Sequence, residues 1–455
     1  MKLLIKNAKI IKDSREEVVD LLISQGKIEK IAKDIEDLEA DVISAENKLV
    51  LPGGVDVHTH MELDLGNYIS VDDFYSGTRA AAFGGTTSIV DHIGFGPRGS
   101  SLQAMVDKYY DLGKKSIIDY SFHGAIQEVE DSHLQEFQGL YDQGIVSLKI
   151  YTTYGGKLTD DQILKVLKKA KETGTVVCVH CENDGAIKTL RDQAEKEGRL
   201  DPIYHAKTRP AETEAEAINR LTYLSQMAGC PKLYIVHVSS GAGLREIQLA
   251  RQRGVENLYC ETCPQYLFLD EDKYLEGGPE EGVKYIMAPP LRKKTDQEAL
   301  WAGLGDGSID VVATDHCPFF YQRDKLPHAK NFLTCPGGGP GVEERLELLI
   351  SAGLKRGLSL ESLVQVLCTN PAKIFGLYPQ KGSLEVGADG DLVLLEKKSY
   401  VISQDNRHSK VDYTSYQGFE VDYRVSTVIS RGEIIVDQGK LLGQKARGQF
   451  IKRRF

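Results

Sequence analysis

Four histidines, one lysine and one aspartate are placed in this chain so that they can share a metal centre. His58 and His60 lie in the stretch Val55-Asp56-Val57-His58-Thr59-His60. The other four each end a short apolar run. Ile145-Val146-Ser147-Leu148 leads into Lys149, Val176-Val177-Cys178-Val179 into His180, Leu233-Tyr234-Ile235-Val236 into His237, and Val311-Val312-Ala313-Thr314 into Asp315. Side chains alternate along a strand, so the two histidines two apart share one face. Neutral imidazoles suit zinc and neighbouring transition ions. A lysine that ends a buried strand shifts towards its neutral, nucleophilic amine. Such an amine can add CO2 and become a carbamate, a two-oxygen anion able to bridge two cations. Asp315 reads either as a strand-end carboxylate that caps the next helix or as a ligand. As a ligand it would stand beside the attacking oxygen and could carry a proton from it to a leaving nitrogen. The chemistry that such a centre supplies is hydroxide near neutral pH.

Those residues need a scaffold that brings distant strand ends together. Continuous β-branched runs mark buried parallel strands. Strand candidates end near His58, Asp91, His123, Lys149, His180, His237, Glu261 and Asp315. Eight is the number a (β/α)8 barrel requires, and its active-site face is formed by the C-terminal strand ends. Helical segments are expected between them. Ser70 to Phe83 is one, with Ser70 as its cap; Thr159 to Thr173 is closed by Gly174; Ala211 to Ala228 and Leu244 to Arg253 follow. Asp91, His92 and His123 also end strands and are read as supporting or core groups.

Both chain ends read as β-structure. Leu3 to Ile11 and Val18 to Ser24 alternate, with a turn at Gly26-Lys27-Ile28. Asn47 to Leu51 is extended and is broken by Pro52-Gly53-Gly54. Gly390 to Leu395, Val425 to Ile429 and Glu433 to Val436 follow, the last two joined by a turn at Arg431-Gly432. Neither piece is long enough for an independent sheet domain. The expectation is a composite β-sandwich from residues 1–51 and 380–455 beside a catalytic barrel of residues 52–379.

The 455 residues include 41% hydrophobic and 27% charged side chains, an ordinary globular composition. A formal net charge of -10 argues against nucleic-acid binding. The basic end around Lys452-Arg453-Arg454 reads as a solvated tail or a subunit contact. No apolar stretch reaches membrane-spanning length, and Met1 to Asn7 reaches charge too soon for a secretory leader, so a cytoplasmic location is expected. The pairs Cys178/Cys181 and Cys260/Cys263 raise the possibility of a zinc ribbon. They are too far apart in the chain for one, and Cys178 sits in an apolar run.

The same stretches carry a family resemblance over nearly the whole length. Pro52-Gly53-Gly54-Val55-Asp56-Val57-His58-Thr59-His60, Val179-His180-Cys181-Glu182-Asn183, Tyr234-Ile235-Val236-His237-Val238-Ser239 and Ala313-Thr314-Asp315-His316-Cys317 are four of its motifs. Ala82-Phe83-Gly84-Gly85-Thr86-Thr87, Glu261-Thr262-Cys263-Pro264-Gln265-Tyr266-Leu267, Pro289-Pro290-Leu291-Arg292 and Asn370-Pro371-Ala372-Lys373 are others. With them the chain resembles the cyclic amidohydrolases: dihydropyrimidinases, hydantoinases and allantoinases. Asp91-His92-Ile93-Gly94-Phe95-Gly96-Pro97, Asp119-Tyr120-Ser121-Phe122-His123-Gly124 and Arg447-Gly448-Gln449-Phe450 favour the bacterial hydantoinase branch.

The resemblance implies a TIM-like (β/α)8 barrel with a small β-sandwich, and two divalent ions per subunit, most often zinc, with manganese or cobalt as substitutes. By position it implies that His58, His60 and Asp315 hold one ion and His180 and His237 the other. Lys149, as N6-carboxylysine, would bridge them. Tyr154 would donate to the developing oxyanion. Ala288 and Gly337 would help bind the ring through backbone groups; a serine and an asparagine are common at these positions, which puts the ring's identity in question. The ring substituent is expected against Leu63, Leu65, Tyr151, Thr152 and Leu158. The implied reaction opens 5-monosubstituted hydantoins, such as 5-phenylhydantoin, to N-carbamoyl amino acids. Dihydropyrimidine and allantoin rings are the alternatives for the same mechanism, and a metal-free scaffold is the alternative for the protein. The implied partners are a small cyclic amide and three further copies of the chain.

Overall fold

A computed structural model describes residues 2–12 and 15–455. The first five strands are β1 (Lys2–Lys12), β2 (Arg15–Ser24), β3 (Lys27–Ala32), β4 (Asp41–Ser44) and β5 (Lys48–Pro52). Gly53 alone separates β5 from the first barrel strand. The barrel strands are β6 (Gly54–Thr59), β7 (Thr86–His92), β8 (Asp119–Ala125), β9 (Ser147–Tyr151), β10 (Val176–His180), β11 (Leu233–Ile235), β12 (Leu258–Thr262) and β13 (Val311–Val312). The chain ends with β14 (Leu392–Val401), β15 (Glu420–Ser430), β16 (Glu433–Asp437) and β17 (Lys440–Leu441).

Strands β6 to β13 follow one another in a single parallel sheet of eight. Its ends meet through side chains and a single bridge. Thr314 donates from Oγ1 to Asp56 Oδ2 at 2.6 Å, Thr59 bridges His316, and His60 N donates to His316 O at 2.9 Å. Every residue of β6, β7 and β10 is buried; β10 reads as an unbroken apolar run up to His180, whereas β6 and β7 also bury polar groups such as Asp56, Thr86 and Asp91. The fold is the expected barrel. Long connections carry helices Asp184–Lys196, Ile203–Lys207 and Ala211–Met227 after β10, and helix Lys294–Gly305 before β13.

The expected helices form, with two starts misplaced; the one expected from Leu244 begins at Gly241, capped by Ser240 through Gly243 N at 3.0 Å. Thr159 and Gln162 make a reciprocal cap before Asp160–Thr173, and Gly174 closes the helix at φ +77. The first helix begins at Phe74 rather than near Ser70, and Asp73 caps it through Ser76 N at 2.7 Å. The reason is competition for the preceding residues. Val71 N donates to Pro318 O, while Asp72 pairs with His316 at 3.0 Å and accepts from Lys410 N.

The two chain ends form one nine-stranded sheet, in the order β17-β16-β15-β14-β5-β1-β2-β3 with β4 on β1. Strand β5 pairs in parallel with β1 and antiparallel with β14, so residues from both termini interleave. Lys381 fastens this sheet to the barrel. Its buried ammonium lies 2.6 Å from Asp119 on β8, 3.0 Å from Asp389 and 2.9 Å from Asp391. Lys381→Met removes the cation shared by three buried carboxylates; Asp389 keeps Lys27 at 2.9 Å and Asp119 keeps Arg431 at 3.2 Å, but Asp391 loses its ion-pair partner. The expected result is a lower urea midpoint, equivalent to about 3–5 kcal/mol, and an unchanged midpoint would remove the lysine from this junction.

The basic tail is not a solvated arm. Ile451 N donates to Tyr120 O at 2.7 Å, and Arg453 is fully buried, donating to Ser121 Oγ and Ser147 Oγ at 2.9 Å each. A guanidinium has five donors, and barrel hydroxyls and a carbonyl take several of them. The solvated-tail expectation fails for Arg453, while Lys452 and Arg454 are exposed.

Candidate metal centre and active-site cavity

The barrel delivers the six chemically interesting residues to one mouth. His58 is next to last in β6, Lys149 is central in β9 and His180 ends β10. His237 lies two residues beyond β11, and Asp315 three beyond β13. The chain turns sharply at both, with φ +40 at His237 and φ +53 at Asp315, and again at Tyr154 with φ +70. Non-glycine residues in the left-handed region are held at a cost and cluster at functional sites.

Asp315 Oδ1 lies 3.1 Å from both His58 Nε2 and His60 Nε2. One ligand atom from each of these three residues falls within 4.8 Å of the others, the only such group among the described residues. His180 and His237 pack with ring centroids 4.5 Å apart, and the His58 and His237 rings are 5.4 Å apart. His58 Nε2, His60 Nδ1 and His237 Nδ1 are buried and make no hydrogen bond. Buried polar nitrogens without partners are rare in folded proteins. His58 Nε2 and His60 Nε2 both face the Asp315 carboxylate, a donor set that fits a divalent transition ion.

Electrostatics prepares the same donor set. Burial lowers the pKa of His60, His180 and His237, favouring neutral ligands. His58 differs: burial opposes its charge, but Glu261 and Asp315 overcome this and raise it to about 9. Asp315 is held well below the carboxylate range, with burial outweighed by His58 and His60. Lys149 is 1% exposed, and burial lowers its pKa towards the free amine.

Two carboxylates orient this centre from behind, and sequence reasoning gave neither a role. Glu261 Oε1 lies 2.6 Å from His58 Nδ1 and accepts from His237 N at 2.9 Å, while Tyr234 O–H donates to Oε2 at 2.8 Å. Glu182 Oε2 lies 2.7 Å from His180 Nε2 and 2.5 Å from Arg209 Nη1. Such partners fix ring orientation and raise ligand basicity. Glu261 did end a strand beside the other site residues, and Glu182 stands two residues after His180, so both left a signal. Arg209, whose guanidinium lies 5.4 Å from the Tyr154 ring centroid, left none.

The site opens into a cavity of about 590 Å3. All six residues line it, together with Tyr154, Ala288 and Gly337. The Tyr154 ring lies 5.0 Å from that of His180 and is 41% exposed, at the cavity side of the centre. His205 Nε2 lies 2.7 Å from Met287 O and steadies the Ala288 wall. Gly338 has φ +147, and a Cβ there would meet Cys317 O at 2.3 Å, so only glycine fits. Leu63, Leu65 and Tyr151 line the cavity as expected, but Thr152 and Leu158 do not. Thr152 Oγ1 donates to Glu182 O at 2.8 Å and accepts from Glu182 N at 2.9 Å, clamping the loop after β10. Leu158 turns into the core at 4% exposure.

Comparison with known proteins bears on what this arrangement is. The model of the amidohydrolase family matches residues 49–435, spanning every residue of the centre. The chain belongs to the amidohydrolase family. It is 44% identical over 458 residues to D-phenylhydantoinase of Escherichia coli O1:K1 / APEC, covering 100% of this chain and 98% of that protein. Among solved structures, a dihydropyrimidinase from Brevibacillus agri NCHU1002 superposes with TM-score 0.97 at 40% identity, covering 100% of this chain and 99% of that one. A D-hydantoinase from a Bacillus sp. AR9 superposes with TM-score 0.96 at 39% identity, covering 99% and 98%.

In this amidohydrolase chain the remaining polar groups of the barrel interior support the site. His123 lies 2.7 Å from Ser147 Oγ and 2.9 Å from Val57 O, and stacks at 4.1 Å on His92, which packs against His58. Asp91 accepts from Thr59 Oγ1 at 2.6 Å and from Met61 N at 2.9 Å. Among the described residues all eight cysteines are free, and none joins a cluster of potential metal ligands.

Proposed function

We propose that this protein hydrolyses one amide bond of 5-monosubstituted hydantoins, releasing N-carbamoyl amino acids. The observation that carries the reading is the convergence of His58, His60 and Asp315 on the floor of the cavity, with Lys149, His180 and His237 lining the same floor. In this reading His58, His60 and Asp315 would hold one divalent ion, His180 and His237 a second, and Lys149 as N6-carboxylysine would serve both. Zinc fits the imidazole-rich set, and manganese or cobalt are the substitutes. When bound, such ions supply Lewis acidity and hydroxide at neutral pH.

This chain's own groups do the rest. The Lys149 amine, buried and favoured in its neutral form, adds CO2 and loses a proton to become the carbamate. Asp315 accepts the proton of the attacking oxygen and delivers it to the departing ring nitrogen. Tyr154 O–H donates to the oxyanion that forms at the ring carbonyl. Backbone groups at Ala288 and Gly337 grip the ring amide, and Leu63, Leu65 and Tyr151 receive the substituent. Tyr154→Phe removes one oxyanion donor, worth roughly 2.7–4 kcal/mol. The expected outcome is a loss of about 10²–10³-fold in kcat with metal content intact, and unchanged turnover would strike Tyr154 from the mechanism.

The deciding assay offers zinc-loaded protein 5-phenylhydantoin, dihydrouracil and allantoin in parallel, with ring opening followed optically. The reading predicts the highest kcat/KM on the hydantoin. A preference for dihydrouracil or allantoin would reassign the ring, and no ring opening with no bound metal would make the protein a scaffold. Residues 52–379 would form the catalytic unit and the two chain ends the second unit. A homotetramer rests on resemblance and is tested by sedimentation. A cytoplasmic location is consistent with eight unpaired thiols and with the lack of any described helix long and apolar enough to cross a membrane.

A further inference from the structure

One cation in the cavity wall has no work in the reaction. Arg191 projects from helix Asp184–Lys196 and lines the 590 Å3 cavity. Of the cavity's other charged groups, Asp64 accepts from Gly66 N at 2.8 Å in the loop after β6. Lys149 and Asp315 belong to the metal centre, and Arg209 is paired with Glu182. Arg191 makes one hydrogen bond, from Nη2 to Leu333 O at 3.1 Å. Among the described residues no carboxylate stands within the 4.0 Å of an ion pair with it. It is half-buried and shares its stretch of wall with Tyr154, Arg209 and Leu333; the same four residues also border a neighbouring cavity of about 350 Å3. Lys188, Asp192 and Glu195 face that second cavity; the two carboxylates favour the Arg191 charge from beyond ion-pair distance, and its donors other than the one to Leu333 stay free towards the active site.

A partly desolvated guanidinium without an acidic partner is a ready site for a carboxylate, which it can grip with two parallel N–H donors. We infer that Arg191 selects cyclic ureides whose ring substituent ends in a carboxylate, that is, hydantoins bearing a carboxymethyl or carboxyethyl group. Leu63, Leu65 and Tyr151 then contact the alkyl part of that substituent while Arg191 takes its charged end. This rests on the hydantoin-opening reading above. The acid placed there neutralises the one cavity cation that the protein leaves unpaired.

The test compares 5-(2-carboxyethyl)hydantoin with its isosteric amide, 5-(2-carbamoylethyl)hydantoin, on wild-type enzyme, Arg191→Gln and Arg191→Lys. The expected result is a wild-type kcat/KM ratio of acid to amide that falls about ten- to a hundredfold in Arg191→Gln. The change should lie in KM, and Arg191→Lys should recover part of the ratio. Added salt should also erode the wild-type preference, because the contact is half-open to solvent. A ratio that does not change with the substitution, or equal losses on both substrates, would overturn the inference and leave Arg191 as a tether for the Leu333 segment. If neither hydantoin is opened, the function reading fails, and calorimetric binding of the acid to wild-type and Arg191→Gln protein decides the inference separately: tighter binding by the wild type supports it, and equal or undetectable binding overturns it.

Discussion

An Asp315→Asn enzyme is expected to fold normally, keep most of its metal, and lose about two to four orders of magnitude in turnover. Asparagine has the same shape and retains an oxygen that can face His58 and His60, where Asp315 Oδ1 now lies 3.1 Å from each Nε2. What it cannot do is accept and return a proton. General acid–base transfer contributes roughly 10²–10⁴-fold, which sets the expected loss, and any ion lost through the weakened ligand would add to it. The carboxylate is well prepared for this task, since His58 and His60 hold it ionised despite its burial. Steady-state kinetics beside elemental analysis separates the two contributions. Turnover within tenfold of wild type would assign the proton transfer to another group.

Lys149→Ala is expected to empty the centre as well as silence it. The side chain is 1% exposed and lines the cavity beside the histidines, so truncation removes the amine that would carry the bridging group. Bound metal should fall from about two ions per chain to one or fewer, with activity down by at least about a thousandfold. A subtler experiment probes the carbamate itself. Metal-stripped wild-type protein reconstituted with zinc should regain activity faster as bicarbonate is raised, because burial has already shifted the Lys149 amine towards its reactive neutral form. Recovery independent of bicarbonate, with full metal content in Lys149→Ala, would show that the lysine serves the barrel core and not the centre.

Much of this architecture could be read along the chain because buried parallel strands announce themselves. The runs before Lys149 and His180 are β9 and β10, and each polar residue that breaks such a run falls at the same mouth. The runs before His237 and Asp315 shrink to three and two paired residues in the fold. Their polar residues still reach the centre, through left-handed turns that no local pattern foretells. What lay hidden depends on contacts between distant segments. Arg209 meets Glu182 from a loop 27 residues on, and Arg191 reaches the cavity from a helix whose pattern says only that it is amphipathic. Thr152 and Leu158 sit near a strand end beside true cavity residues, yet one clamps a loop and the other fills the core. Arg453 misled for the opposite reason: a basic cluster reads as solvated until the barrel floor is seen to offer hydroxyls and a carbonyl.

The central claim is that one centre of paired ions is assembled from His58, His60, Lys149, His180, His237 and Asp315. Anomalous diffraction at the zinc edge, from crystals grown with zinc and bicarbonate, tests it most directly. The account predicts two peaks about 3.5–4 Å apart at the cavity floor, joined by density continuous with Lys149 Nζ. Zinc bound elsewhere, or a floor without paired peaks and with a bare Lys149 amine, would contradict it.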